Sequence, residues 1–324
     1  MKLRALILSL GLLFTVALRA SEAQLLSVQR IGEAAPHNAF TDLVRWRNQF
    51  WCAFREGSAH VSPDGAIRVL RSADGTNWSS AVRLTSARGD LRDPHLAVTP
   101  DHRLMLYGAA ALPQPGPVKH QSVTWFSEDG AQWSGEIPIG DPDVWLWRVA
   151  WNGSQALGVG YDTAGERFVR LYSSRDGQKF ETLVPTLFSE PNPNETGLAF
   201  LPDGTCLCLL RRDGQPGTGK LGRAKPPYHD WTWQDLGVRI GGPQLIRLPD
   251  GRLLAAARLY DGVVRTSLCW LDPEAGRLTE ILKLPGGGDC SYPGMVLHEG
   301  RLWVSYYASH EGGTRVYVAQ VKLP

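Results

Sequence analysis

Six short segments of this chain concentrate its acids, arginines and aromatic rings: Phe40-Thr41-Asp42, Arg92-Asp93-Pro94-His95, Trp145-Leu146-Trp147-Arg148, Asn194-Glu195-Thr196, Gly242-Pro243-Gln244 and Asp289-Cys290-Ser291-Tyr292-Pro293. Carboxylates move protons, flat rings stack on sugar faces, and guanidinium groups grip anionic substituents. As a set, these residue types predict a polar pocket suited to a sugar. Asp42, Trp147, Arg148 and Gln244 are counted among its substrate contacts. A further stretch, Phe54-Arg55-Glu56-Gly57-Ser58-Ala59-His60, adds Arg55, Glu56 and His60, with Asp64 close behind.

The elements that position these segments are read from a repeat. Short turns between strand-like apolar runs recur at Arg45-Trp46-Arg47-Asn48-Gln49, Pro100-Asp101-His102-Arg103, Trp151-Asn152-Gly153-Ser154, Pro202-Asp203-Gly204-Thr205, Pro249-Asp250-Gly251-Arg252 and His298-Glu299-Gly300-Arg301. From Asp101 to Asn152 is 51 positions, to Asp203 another 51, to Asp250 another 47 and to Glu299 another 49. Each turn leads into a run such as Leu104-Met105-Leu106-Tyr107 or Leu302-Trp303-Val304-Ser305-Tyr306, which reads as a strand joined by a hairpin. No segment after the N-terminal apolar run shows a capped helical period. A period of about 50 residues that holds four strands is one propeller blade, and six blades close into a ring with few exposed sheet edges. The expected fold is therefore all-β, a six-bladed β-propeller with four antiparallel strands per blade.

A second signal lies half a period later. Ser72-Ala73-Asp74-Gly75-Thr76-Asn77-Trp78 is echoed by Ser127-Glu128-Asp129-Gly130-Ala131-Gln132-Trp133 and by Ser174-Arg175-Asp176-Gly177-Gln178-Lys179-Phe180, with a weaker relic at Asp230-Trp231-Thr232-Trp233. The aspartate accepts bonds from nearby backbone amides, the glycine takes a positive φ, and the aromatic ring tucks beneath the turn. The last blade has room for only three strands, near Tyr292 to Leu297, Leu302 to Ala308 and Thr314 to Val321. The run Leu25-Leu26-Ser27-Val28-Gln29-Arg30-Ile31 is expected to supply the fourth and close the ring.

These three turns resemble the Asp-boxes of sialidases and their relatives, and the resemblance covers the chain from about Phe40 to its end. It implies a retaining, exo-acting glycoside hydrolase for terminal sialic acid or a related anionic sugar. In that scheme Tyr292 corresponds to the family's nucleophile and Glu195 to the glutamate that activates it. Arg211 follows Glu195 by 16 positions across a hairpin, as the family's second arginine does, and Arg258 one blade on fits the third. The family's first arginine, in a Phe-Arg-Ile-Pro motif, is replaced here by Phe40-Thr41-Asp42-Leu43, so Arg55, Arg92 or Arg148 is left to stand in. The acid and base is sought among Glu56, His60, Asp64 and Asp93, with Asp93 preferred because Arg92-Asp93-Pro94 opens an inner strand. Two other readings stay open: a glycosidase for a neutral or uronic sugar with Asp93, Glu56 and Glu195 as paired carboxylates, and a non-catalytic propeller that binds glycan or protein.

Bulk properties bound the remaining choices. Lys and Arg total 34 against 32 Asp and Glu, a balance that offers no case for nucleic acid as a partner. Lys2 and Arg4 precede an apolar run from Ala5 to Leu18, and Ser21-Glu22-Ala23 follows. That pattern predicts a signal peptide over residues 1–23, cleavage near Ala23 and a secreted or periplasmic propeller over 24–324. The run is shorter than the about 20 residues that span a bilayer, so stable membrane insertion is not expected. Of the five cysteines, Cys206 and Cys208 alternate with leucines as in a buried strand, and the set reads as core rather than as a metal site. No phosphate loop, metal-ligand cluster or cofactor motif occurs, so no metal or cofactor is expected, and a monomer acting on a glycan is the expected state.

Overall fold

The computed structural model describes residues 23–324, so the predicted signal peptide, apart from Ala23, lies outside the described residues. Six four-stranded antiparallel sheets follow one another around a central axis, and no helix occurs among the described residues. The inner strands are His37–Trp46, Asp90–Val98, Val144–Asn152, Pro193–Phe200, Ile240–Arg247 and Cys290–His298, one in each of blades 1 to 6. Each of the six repeated turns joins an inner strand to the second strand of its own blade. The three Ser-x-Asp-Gly turns instead join the third strand of a blade to its outermost one.

Position in the blade explains the patterning. Second strands are buried on both faces because neighbouring blades cover them, so Cys206–Arg212 and Leu253–Leu259 read as nearly continuous apolar runs. Outer strands such as Ser79–Leu84 and Arg277–Lys283 face solvent and read as polar. Between blades 1 and 2, Trp51, Ile67, Leu96 and Leu106 interdigitate; between blades 5 and 6, Leu254, Leu268, Leu302 and Val304 do the same. Each such side chain contributes about 1.5–3 kcal/mol through burial. All five cysteines are free and buried.

The Ser-x-Asp-Gly turns also tie blades together. Asp74 Oδ1 accepts from the amides of Thr76 and Asn77 at 2.8 Å each, and Ser72 Oγ accepts from Gly75 N at 2.8 Å. The same bonds recur around Asp129 and Asp176. Gly130 lies under the Trp51 ring of the preceding blade, where a Cβ would come within 2.0 Å of a ring carbon.

The ring closes as expected. Gln24–Gly32 pairs antiparallel with Arg315–Lys322, from Gln24 opposite Lys322 to Gly32 opposite Val316, and becomes the outermost strand of blade 6. On the axis, Asp42 Oδ2 accepts from Arg148 Nη1 at 2.9 Å and from Leu96 N at 2.9 Å, which links blades 1, 2 and 3. Burial pushes the Asp42 carboxyl up, but Arg148 and the adjacent His95 outweigh it and hold it below its ordinary value. His95 is itself lowered to about 4, chiefly by burial and by Arg148, and is neutral at pH 7.

Candidate active site

Every inner strand slips register near its start. The shifts fall between Ala39 and Asp42, Arg92 and His95, Leu146 and Arg148, Pro193 and Thr196, Gly241 and Gln244, and Ser291 and Gly294. Bulges of this kind re-aim side chains, and here they coincide with the six chemistry-bearing segments. Phe40, Asp93, Gly242 and Tyr292 all adopt positive φ, at 60°, 47°, 53° and 49°. Three of these four are not glycine, a costly conformation that persists only where surrounding contacts impose it.

The bulge in blade 6 turns Tyr292 toward blade 4. Its Oη donates to Glu195 Oε1 at 2.5 Å. Glu195 Oε2 accepts from Gly242 N at 2.7 Å and pairs with Arg211 Nη1 at 2.7 Å, so one carboxylate is held by three blades. Thr41 Oγ1 fixes the Tyr292 carbonyl at 2.8 Å. Burial, then the Glu195 charge, raises the Tyr292 phenol well above its ordinary value, so at neutral pH it carries its proton and donates it. Arg211 lies 3.4 Å from the same hydroxyl and favours the phenolate once it forms.

Around this pair the ring faces are aromatic. Tyr307 stacks on Tyr292 with centroids 5.8 Å apart, Phe40 meets it edge-on at 5.3 Å, and Trp147 packs at 5.4 Å. Arg258 places its guanidinium 5.5 Å from the Tyr292 ring centre while donating to Cys290 O, Asp289 Oδ1 and Tyr307 Oη. Asp93, 6% exposed, is pushed up to about 6, first by burial and then by the Glu195 charge, with Arg92 opposing. Tyr161 is raised well above its ordinary value by burial and then by the charges of Asp93 and Glu195, so it belongs to the same electrostatic cluster. Arg92 lies between the rings of Phe40 and Trp145, at 5.6 and 5.9 Å, and its buried Nε has no hydrogen-bond partner.

The structure thus brings together Tyr292, Glu195, Arg211, Arg258, Asp93 and Arg92. It commits the other expected residues elsewhere. Arg55 is fully buried, its three nitrogens bonded to Asp90, Leu91, Ala59 and Ser62, so its guanidinium is not presented to a substrate. Glu56 is held by Arg68 and Arg83 on the outer strands of blade 1, which removes it as an acid or base. Asp42 and Arg148 are spent on each other in the axial core. Trp147 does reach the cluster, but as a fully buried ring packed among Tyr292, His95 and Tyr161 and not on an open face, and Gln244 turns its Oε1 back to the amide of Leu245. Asp64 accepts from Ser58 within its own loop.

Two positioning groups escape sequence reasoning. Asp213 clamps Arg211, with Oδ1 at 3.1 Å from Nε and Oδ2 at 3.0 Å from Nη2. Its signal is the spacing of two from Arg211. Tyr307 stands opposite Ser291 in the blade 6 register, so pairing the strands on paper would have placed it beside Tyr292.

No protein-family model matches the sequence, and no curated protein sequence matches it. Solved structures do. A protein of unknown function from Dyadobacter fermentans superposes with a TM-score of 0.81 at 21% identity, covering 94% of this chain and 100% of that one. The Penicillium chrysogenum α-L-arabinanase, complexed with arabinobiose, gives 0.74 at 15% identity over 92% and 98% of the two chains. The Trypanosoma rangeli sialidase, with the inhibitor DANA, gives 0.70 at 11% identity; 91% of this chain matches 57% of that one. These likenesses establish the class of fold, the six-bladed β-propeller to which enzymes of both kinds belong.

Proposed function

We propose that this chain is a retaining exo-glycoside hydrolase that uses Tyr292 as nucleophile, on a terminal sialic acid or a related anionic sugar. The observation that carries the reading is the 2.5 Å bond from Tyr292 Oη to Glu195 Oε1, on a carboxylate also paired to Arg211. Tyr292 Oη attacks the anomeric carbon and passes its proton to Glu195, while Asp93 protonates the departing glycosidic oxygen. Asp93, left ionised, takes a proton from water; the hydroxide displaces the tyrosine oxygen, which recovers its proton from Glu195. A phenol suits an anomeric centre that already bears a carboxylate, because a neutral nucleophile meets no charge repulsion. Arg258 and Arg92 are the arginines with donors to spare for that carboxylate. On this reading the chain works as a monomer, on a glycan, outside the cytoplasm.

One observation favours a second reading. Arg211, expected to grip substrate, has all three nitrogens engaged by Glu195 and Asp213. A neutral sugar would need no such grip, and the similarly shaped arabinanase acts on one. Asp93 as acid and Glu195 as the opposing carboxylate would then carry the reaction.

The test is release of fluorophore from a 4-methylumbelliferyl sialoside beside the α-L-arabinofuranoside, with Tyr292→Phe as control. Sialoside turnover that falls by at least about 10²-fold in the variant supports the tyrosine mechanism. Arabinoside turnover that survives the variant transfers the reading to the carboxylate pair.

A further inference from the structure

The seam between blades 1 and 6 gathers a second group of side chains, which shares with the site above only the contact of Asp289 with Arg258 and Tyr307. His37 opens the inner strand of blade 1, His60 lies in the loop after Gly57, and Asp289 immediately precedes Cys290 of blade 6. One donor atom from each falls within 4.8 Å of the other two. His60 Nδ1 is 2.7 Å from Asp289 Oδ2, and His37 Nε2 is 3.8 Å from that same oxygen.

His37 is the odd member. It is 7% exposed, and both ring nitrogens are buried without a hydrogen-bond partner. An imidazole buried without partners has given up its hydration with nothing in return, so its position calls for a ligand. Meanwhile Asp289 Oδ1 is held by Tyr307 Oη at 2.9 Å and by Arg258 Nη2 at 3.1 Å, which turns Oδ2 toward the two histidines. Phe40 floors the cluster, 5.9 Å from His37 and 5.1 Å from His60. His60 is half exposed and opens the cluster to solvent.

We infer that His37, His60 and Asp289 form a site for one divalent transition-metal ion, zinc by ligand type, at the rim of the channel. Two imidazoles and one carboxylate suit such ions, whereas calcium and magnesium prefer oxygen alone. Ligand bonds of about 2.0–2.2 Å set neighbouring donors about 3–3.5 Å apart, a spacing that the 2.7 and 3.8 Å contacts bracket. Small ring rotations complete it, and positions facing solvent stay open for water or a substrate oxygen. Arg258 shares the carboxylate, which limits affinity. The segments lie 23 and 229 positions apart, so the sequence alone offers no metal motif. The inference stands whether or not the chain hydrolyses glycosides.

Isothermal titration of the chelator-treated protein with zinc chloride tests it, together with visible absorption of the cobalt(II) form. The expected result is one equivalent bound, with cobalt bands typical of nitrogen ligation, and an affinity at least about tenfold weaker in His60→Ala. Because His60 is half exposed, that variant should keep the parent's circular dichroism spectrum. Absence of binding by the parent, or equal binding by a folded His60→Ala, overturns the inference.

Discussion

The Tyr292 hydroxyl and the Glu195 carboxylate meet at 2.5 Å although they belong to blades 6 and 4, which do not adjoin. Blade 5 spans the gap by donating Gly242 N to the same carboxylate. The hydrogen-bonded pair is therefore a property of the closed ring, since no single blade contains it.

Gly242 is constrained from two sides. Its φ is +53°, and a Cβ there would sit 3.1 Å from Tyr292 Cδ1. Gly242→Ala should destabilise the fold by about 1–2 kcal/mol from backbone strain and also lower turnover by displacing the phenol. Urea unfolding and kcat on the same samples check both effects; an unchanged kcat would show that the phenol does not move.

Asp213 touches neither Tyr292 Oη nor Glu195 in the hydrogen-bond pattern, yet it holds the Arg211 fork. Asp213→Ala should lower kcat by about 10- to 100-fold by letting Arg211 drift, with a smaller change in KM. Asp213→Glu should restore part of the loss. A change in KM alone would assign Asp213 to substrate binding instead.

In the proposed mechanism Asp93 sets the pH dependence. With its carboxyl raised to about 6, the acid form needed for leaving-group protonation is lost above that pH, so kcat should fall on the alkaline side. The stability effect has a definite sign: the folded value lies above the unfolded 3.8, so the folded state binds more protons between them. The stability that Asp93 contributes is then fully present below about pH 4 and is lost as pH rises to about 6. Asp93→Asn, which tolerates the φ of 47°, should abolish both the alkaline limb and that decline. Parallel denaturation curves for the two proteins across this range would refute the burial account.

Deleting residues 24–32 strips the outer strand from blade 6 and exposes the edge of Arg315–Lys322. Leu25 and Val28 also leave the core they cover. The shortened protein should lose its cooperative thermal transition and aggregate, as followed by calorimetry and light scattering. Retention of the parent's melting temperature would show that the clasp contributes nothing.

Much of the architecture was legible because turn chemistry is local. Asp-Gly pairs, hairpin spacing and apolar runs mark blades without reference to distant residues, and the short last blade implied its missing strand. The site was legible in part. The six segments that open the inner strands were found by position, and Tyr292, Glu195 and Asp93 do converge. Arg55, Glu56, Asp42 and Arg148 look equally functional in sequence, because residue type does not reveal whether a charge faces a channel or a partner. Asp90 neutralises Arg55 from the next blade, and Arg68 with Arg83 does so for Glu56. Such pairings, like the bulges that turn Tyr292 and Asp93 inward, depend on register across strands, which spacing along one strand does not encode.

The pairing of Gln24 with Lys322 also governs the order of folding. It joins the first described strand to the last, so its loop-closure entropy is among the largest in the molecule and its formation comes late. During synthesis the first strand waits unpartnered until the final one emerges. An interrupted chain therefore carries an unmatched edge and a Glu195 without its phenol partner, since Tyr292 lies in the same late blade. Completion of the ring acts as a checkpoint: a protein truncated before its last strands lacks both the clasp and Tyr292.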